Sequence, residues 1–279
     1  MKYLQNAFEL YINSSIHVSL AIVAFTLITF LKYDQEIDKD LLFFIFFASI
    51  TGYNFVKYAG IAKLHHLSLA GNLRFIQVFS FLSFVALVYF TFQMEIRVLI
   101  ATGFLGLFTI FYAVPFLGKD KNLRSLPGLK IFIIAVVWAG TTVLLPLINA
   151  EAYLGTGILV DFIQRLFLVI VLTLPFEIRD LKYDDEALGT IPQRLGVFKS
   201  KVFGLFLILL IFFSEIIQNS FSSAEFLAFI IILLVSGILL WKAGRDQKKY
   251  YCSFWVEMVP VFYLGFYWVF THYLPQTPF

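Results

Sequence analysis

Apolar residues fall along this chain in long unbroken blocks separated by short polar stretches. Neither the strict alternation of a half-buried strand nor the single stripe of a surface helix is present. Nine blocks can be marked, at 16–31, 41–58, 75–92, 96–116, 131–148, 154–178, 202–217, 226–241 and 254–273. Most reach the length of about 18 residues at which an apolar run spans a bilayer as a helix. In hydrocarbon every backbone N–H and C=O needs an internal partner, and runs this long and continuous find one as helices rather than as barrel strands. The pattern predicts an all-α fold, a polytopic transmembrane bundle of about nine helices. Only the short link Gln93-Met94-Glu95-Ile96 separates the third block from the fourth, which predicts a tight antiparallel hairpin.

No hydrophilic stretch is long enough to form a separate soluble domain, so residues 1–279 read as one integral membrane domain. The second, fourth, sixth and eighth blocks all run into polar, basic loops on the same side. That recurrence hints at a parallel duplication of four helices, about 16–130 and 131–253, with a ninth helix appended. Composition agrees with the class: 60% of residues are hydrophobic and 35 of 279 are Phe, far from the make-up of a soluble domain. The single cysteine, Cys252, excludes an intrachain disulfide. Residues 1–15 are mixed in character and no small-residue cleavage site follows, so no cleavable signal is expected.

The net charge of +3 tells less than its distribution. With nine spans, 17 of the 21 Lys and Arg fall on one side of the membrane. The positive-inside rule then puts the N-terminus in the cytoplasm and the C-terminus outside, as an odd number of spans requires. The expected location is the cell's inner, cytoplasmic membrane, with the polar loops facing the cytoplasm and lipids all round. Basic residues confined to short inter-span loops give no nucleic-acid signature.

The polar stretch with the most chemistry follows the sixth block: Glu177-Ile178-Arg179-Asp180-Leu181-Lys182-Tyr183-Asp184-Asp185-Glu186. Five of these ten residues are acidic, in a chain only 14% charged. If the preceding helix continues through them, Asp180 and Asp184 stand one turn apart on one face. Two carboxylates so placed can share Mg²⁺, a hard cation that takes its remaining ligands from water and from a substrate phosphate. A solvated acidic loop at a helix exit would look similar. The neighbouring loops offer Asn54, Lys57 and Lys63 after the second block, and Tyr112, Lys119, Arg124 and Lys130 after the fourth. Acids that hold a cation, beside bases that pair with phosphate oxygens, suit a diphosphate bound through its metal. The Phe-, Tyr- and Trp-rich spans below could sheathe an isoprenoid tail and steady an allylic cation. Topology alone would also produce basic loops and lipid-facing aromatics.

The string Arg179-Asp180-Leu181-Lys182-Tyr183-Asp184, then Gly189-Thr190-Ile191-Pro192 and Arg194-Leu195-Gly196, resembles the second aspartate-rich motif of UbiA-type intramembrane prenyltransferases. That motif reads R-D-x-x-x-D, then a glycine, T-L-P and L-G. Tyr112 with Lys119, and Arg124 through Lys130, look like the family's basic loop after the fourth helix. The resemblance extends over the whole chain, since the family has nine helices and a cytoplasmic active site. It implies transfer of a prenyl group from a polyprenyl diphosphate to a lipophilic acceptor, aromatic or lipid, with Mg²⁺ as cofactor. By this likeness Asp180, Asp184 and Lys119 are catalytic, and Asp180 with Asp184 or Asp185 holds the metal. Asn54, Lys57, Lys63, Tyr112, Arg124, Lys130 and Arg179 are the substrate-binding set.

The chain departs from the family at its first motif, N-D-x-x-D-x-x-x-D. Aligned on Asn54, the three aspartates fall at Phe55, Tyr58 and Ala62. The spacing from Asp184 to Thr190 is also one residue short, which is why Asp185 stands as an alternative ligand. Two outcomes follow. Lys57 and Lys63 neutralise the diphosphate directly, as a fixed cation can, or the scaffold binds or transports an isoprenoid lipid without ionising it. Three further features carry expectations. Glu257, near one end of the ninth block, is a functional candidate by its depth or an interfacial, wetted group. Asp161 and Arg165, at i and i+4, are expected to pair with each other. His65 and His66, about 100° apart on a helix, are expected to be polar loop contacts or weak phosphate donors.

Overall fold

A computed structural model describes residues 2–58, 73–114, 126, 128–185, 188–218 and 220–274. It is a helical bundle, as the apolar blocks predict. In chain order the helices are α1 Lys2–Asn13, α2 Ile16–Lys32, α3 Lys39–Tyr58, α4 Leu73–Thr91, α5 Ile96–Ala113, α6 Lys130–Ala139, α7 Leu145–Asn149, α8 Thr156–Asp180, α9 Ile191–Gln218, α10 Ser223–Lys242 and α11 Val259–Tyr273. A π-turn at Gly140–Leu144 joins α6 to α7 within one span, and another at Tyr251–Val256 leads into α11. Among the described residues eight spans are long and apolar enough to cross a membrane, and a ninth counts if α1 and α2, bent by 58°, are one. This is a multi-pass helical protein. The end of the bundle that carries the α3 C-terminus and the α8 C-terminus is called the basic end below.

The bend between α1 and α2 has an identifiable cause. Ser15 sits in the left-handed region at φ 65°, a conformation that costs a non-glycine residue about 1–3 kcal/mol. Its hydroxyl donates to Asn54 Oδ1 at 2.8 Å and accepts from Lys57 Nζ at 2.8 Å. Those bonds from α3 hold the bend, and the bend in turn fixes where Lys57 points.

The core runs through α2, α6, α8, α10 and α11. Glycine at 204 lets α9 approach closely, because a Cβ there would stand 2.3 Å from the Leu240 side chain and 2.9 Å from that of Leu174. The link between α4 and α5 is as short as its sequence predicts, yet the two helices do not form a packed hairpin. α4 leans on α3 and α5 on α6, and beyond the turn they scarcely touch.

At the end opposite the basic one, Asp161 and Arg165 do not pair as expected. Asp161 takes Lys32 Nζ at 2.8 Å, the Tyr33 hydroxyl at 2.8 Å and Gln218 Nε2 at 3.0 Å. Arg165 instead donates to the Phe25 carbonyl and the Thr142 hydroxyl, both at 3.1 Å, and lies over the Phe25 ring. The i,i+4 rule compares only partners on the same helix, and α2 supplies better ones.

Candidate functional site

The α8 helix stops at Asp180, so the acid pair is not carried on one continuous helix face. Residues Leu181–Tyr183 form a turn, in which the Asp184 N–H still reaches the Asp180 carbonyl at 2.8 Å. An acid on the last residue of a helix faces the negative end of the helix dipole. Arg179 compensates in bidentate fashion, its Nε 2.7 Å from Asp180 Oδ1 and its Nη2 3.2 Å from Oδ2. Asp184 is held by Lys130 Nζ at 3.3 Å. Asp185 is exposed.

Glycines shape the stretch that follows. Gly189 at φ 49° and Gly196 at φ 78° both take left-handed conformations that favour a residue without Cβ. Gly196 divides a short helical turn, opened by Ile191 and Pro192, from the long body of α9. Thr190 is buried and its N–H donates to Gln193 Oε1 at 2.8 Å. Gly128, also at positive φ, donates to the Leu188 carbonyl at 3.0 Å, so the two loops are pinned together.

These elements surround a cavity of about 1480 Å³, larger than the 300–1,000 Å³ usual for a small-molecule pocket. Its basic-end wall carries Lys57 from α3, Tyr112 from α5, Lys130 from α6 and Glu177, Arg179 and Asp180 from α8. Glu257 lines the same wall, within electrostatic reach of Lys57 and Arg179, so it is a cavity group. Deeper in, the walls are apolar and aromatic, with the Trp138 Nε1–H donating to the Tyr53 hydroxyl at 2.7 Å. At the rim, Lys182 pairs with Asp246, and Lys249 of the α10–α11 loop donates to Glu9 of α1. That bond to the Glu9 carboxylate raises the Lys249 amine above its ordinary pKa.

The structure thus brings Lys57, Tyr112, Lys130, Arg179 and Asp180 to one cavity. Asp184 and Asp185 flank it without lining it. Asn54 does not reach it: buried at 3% exposure, it accepts from Ser15 and donates to the Ser14 carbonyl at 3.0 Å and the Ser80 hydroxyl at 2.8 Å. Its position is that of a tie between the α1–α2 bend and α4. Lys63, His65, His66, Lys119 and Arg124 lie outside the described residues. Among the described residues no three His, Cys, Asp or Glu side chains form a ready-made cation cage.

Sequence reasoning passed over Glu177 as merely the start of the acidic run. Its position three residues before Asp180 puts it one turn back on the same helix face, a spacing that was there to be read. It also missed the Tyr53–Trp138 pair, which the pattern of aromatic residues does not single out.

The fold and cavity define a class: a multi-pass helical bundle with a charged mouth over an apolar hollow. Along 98% of its length the chain matches a solved structure described as a digeranylgeranylglyceryl phosphate synthase in membranes, covering 100% of that chain with a TM-score of 0.58 and 19% identity. The shared property at that identity is the fold. No family profile matches the sequence, and no curated protein does.

Proposed function

We propose that this chain is a membrane prenyltransferase, moving an isoprenyl group from a polyprenyl diphosphate to a lipophilic acceptor, aromatic or lipid. The observation that carries the reading is that Lys57 and Asp180, from different helices, line the same cavity above an apolar hollow. The fold it shares with a digeranylgeranylglyceryl phosphate synthase supports the same class of reaction, as does the likeness of Arg179 through Gly196 to the UbiA-type second motif.

The apolar hollow takes the isoprenyl tail, since each buried CH₂ contributes about 0.8 kcal/mol. The diphosphate lies at the mouth, on the cytoplasmic side. There Lys57, Lys130 and Arg179 meet its oxygens; Lys63, Lys119 and Arg124 are assigned to the diphosphate by the family likeness alone, Lys119 as the group that counters charge on the leaving group. As the diphosphate takes Arg179 and Lys130 for its own partners, the carboxylates of Asp180 and Asp184 come free of theirs. Asp180 with Asp184, or Asp185 in its place, would then hold Mg²⁺. Two carboxylates plus substrate phosphate and water are the donor set this ion takes, so these residues fit an ion arriving with its diphosphate. Bound there, Mg²⁺ would supply electrostatic stabilisation of the departing diphosphate. Tyr112 orients the headgroup, and Asn54 serves through Ser15, which in turn positions Lys57. The faces of Tyr53 and Trp138 stabilise positive charge on the allylic carbon.

The test is to incubate the purified protein with prenyl diphosphates of several chain lengths, with and without Mg²⁺, and to measure released diphosphate. Mg²⁺-dependent release, lost in Asp180→Ala, is the expected result. One observation favours a second reading, a non-catalytic isoprenoid-binding or transport protein. Both acids are already ion-paired, and among the described residues no third ligand joins them. Saturable isoprenoid binding with no diphosphate released under any metal would establish it.

A further inference from the structure

The hollow below the charged mouth has an end. Its deepest lining residues are Phe44 on α3 and Thr102 on α5. One turn further from the mouth, on the same helix faces, Leu41 and Val98 are fully buried in the core. Met94 joins them from the α4–α5 turn. Its neighbours Gln93 and Glu95 are exposed, yet Met94 is only 8% exposed and belongs to the same core. Beside this floor, Phe43 and Phe47 of α3 stack on Phe90 of α4, with ring centroids 5.3 and 5.9 Å apart.

The helices give the depth. Lys57 and Phe44 are 13 positions apart along α3, about 20 Å at the α-helical rise, and Tyr112 and Thr102 are 10 apart along α5, about 15 Å. An extended chain advances about 1.2 Å per bond, so an isoprene unit of four chain bonds spans about 5 Å. From mouth to floor the hollow is therefore about three to four isoprene units deep.

We infer that the hollow measures the donor's tail: it takes farnesyl or geranylgeranyl diphosphate, with Leu41, Met94 and Val98 as the end-stop that decides length. The inference rests on the prenyltransferase reading and adds to it the length class of the donor. A fifth unit meets buried side chains below Phe44, and a tail folded back on itself competes with the acceptor for the same space. α4 and α5 are joined at the floor by the Met94 turn but scarcely touch above it. A tail leaving sideways between them would not be measured, which makes that route the competing outcome of the test. Gly106 offers an independent handle. It lines the cavity six positions from Tyr112, about 9 Å below the mouth, and a Cβ added there meets nothing within 4 Å among the described residues. A large side chain at 106 therefore fills the hollow partway down without displacing its neighbours.

The experiment uses the full chain in mild detergent with Mg²⁺ and all-trans prenyl diphosphates of two, three, four, six and ten isoprene units. Released diphosphate gives kcat/KM, and radiolabelled prenyl thiolodiphosphates of the same lengths give affinity. Both should peak at three or four units and fall about tenfold or more by six, the size of effect expected when a closed apolar pocket rejects added carbons. Gly106→Phe should move the peak to two units, lowering kcat/KM for geranylgeranyl diphosphate about tenfold while geranyl diphosphate stays within about threefold. Met94→Ala and Val98→Ala should each raise use of the six-unit donor relative to the four-unit one. Equal kcat/KM from four units to ten, or geranylgeranyl diphosphate used as well by Gly106→Phe as by the wild type, would overturn the length limit while leaving the prenyltransferase intact. Because the wild-type series stands alone, a variant that folds poorly does not shield the inference. Wild-type protein that releases no diphosphate from any donor would overturn the prenyltransferase reading; affinity that holds level beyond four units would then overturn the length limit as well.

Discussion

The two ends of the bundle both bury charge, and they do so in opposite ways. At the end away from the cavity, Lys32, Asp161 and Glu215 are packed together, their side chains 9%, 8% and 1% exposed, with Lys32 Nζ 2.8 Å from Asp161 and 3.6 Å from Glu215. Gln164, Gln218, Tyr33 and Ser220 take up further oxygens of the two acids, and the space left beside them is about 30 Å³, room for about one water. At the basic end the charges stand around about 1480 Å³, and one carboxylate oxygen, Glu177 Oε2, has no donor among the described residues. In the first cluster every carboxylate oxygen has a donor. The second leaves charged groups facing open space among the described residues. Buried charge alone therefore does not mark a site; charge facing unfilled space does.

The sharpest way to break this comparison is at Asp180. On the proposed reaction, Asp180→Ala should lower diphosphate release on the order of 10³-fold, the upper range for deleting one electrostatic stabiliser. Steady-state release assays on folded protein check it. At the other end, Lys32→Met should act on stability instead. Removing one partner of a buried cluster leaves uncompensated carboxylates and costs about 3–5 kcal/mol. Unfolding in mild detergent would show that loss, while turnover per folded molecule stays within about twofold. If Lys32→Met instead abolished turnover with stability unchanged, the division between the two ends would fail.

How far the sequence discloses this division differs between the two ends. The helices were legible because a bilayer-length apolar run has one way to satisfy its backbone, and over their described residues all nine blocks fall on helices. The α8 exit was legible in kind, since the acids and glycines of residues 177–196 are local features; Gly189 and Gly196 do occupy positive φ. The pairing of charges was not. Asp161 finds Lys32 across 129 positions of sequence, and Asp184 finds Lys130 across 54. No local rule brings such partners together. Asn54 shows the same limit from the other side. Its place in the family pattern pointed toward the substrate, whereas three-dimensional packing gives it Ser14, Ser15 and Ser80.

Lys57 sharpens the comparison by a smaller step, because it belongs partly to both kinds of cluster. It lines the cavity, yet its ammonium also holds the strained Ser15 hydroxyl. Lys57→Met should therefore cost stability modestly, about 1 kcal/mol for one hydrogen bond. It should reduce turnover about 10- to 100-fold, because a fixed cation beside the leaving group is lost. Lys57→Arg, which keeps the charge, should restore part of the rate. A Met variant with wild-type turnover would place the diphosphate away from α3.

The weakest effect is expected at the rim, where Lys249 and Glu9 join the α10–α11 loop to α1. Both residues line the cavity mouth, so position alone would assign them to the site. Exposure argues otherwise: the Lys249 side chain is 65% exposed and that of Glu9 37%. Water and salt screen such a pair, and pairs of this kind contribute about 0.2–1 kcal/mol. Tyr250 shares the Glu9 carboxylate at 3.2 Å, and Phe8 packs edge-on against its ring, so α1 stays docked without the lysine. A double-mutant cycle of Glu9→Gln and Lys249→Met should return a coupling in that range, shrinking as salt is raised, with turnover within twofold in all four proteins. A coupling well above 1 kcal/mol that ignores salt would mean the rim is drier than its exposure indicates, and would move this pair into the same class as Lys32 and Asp161.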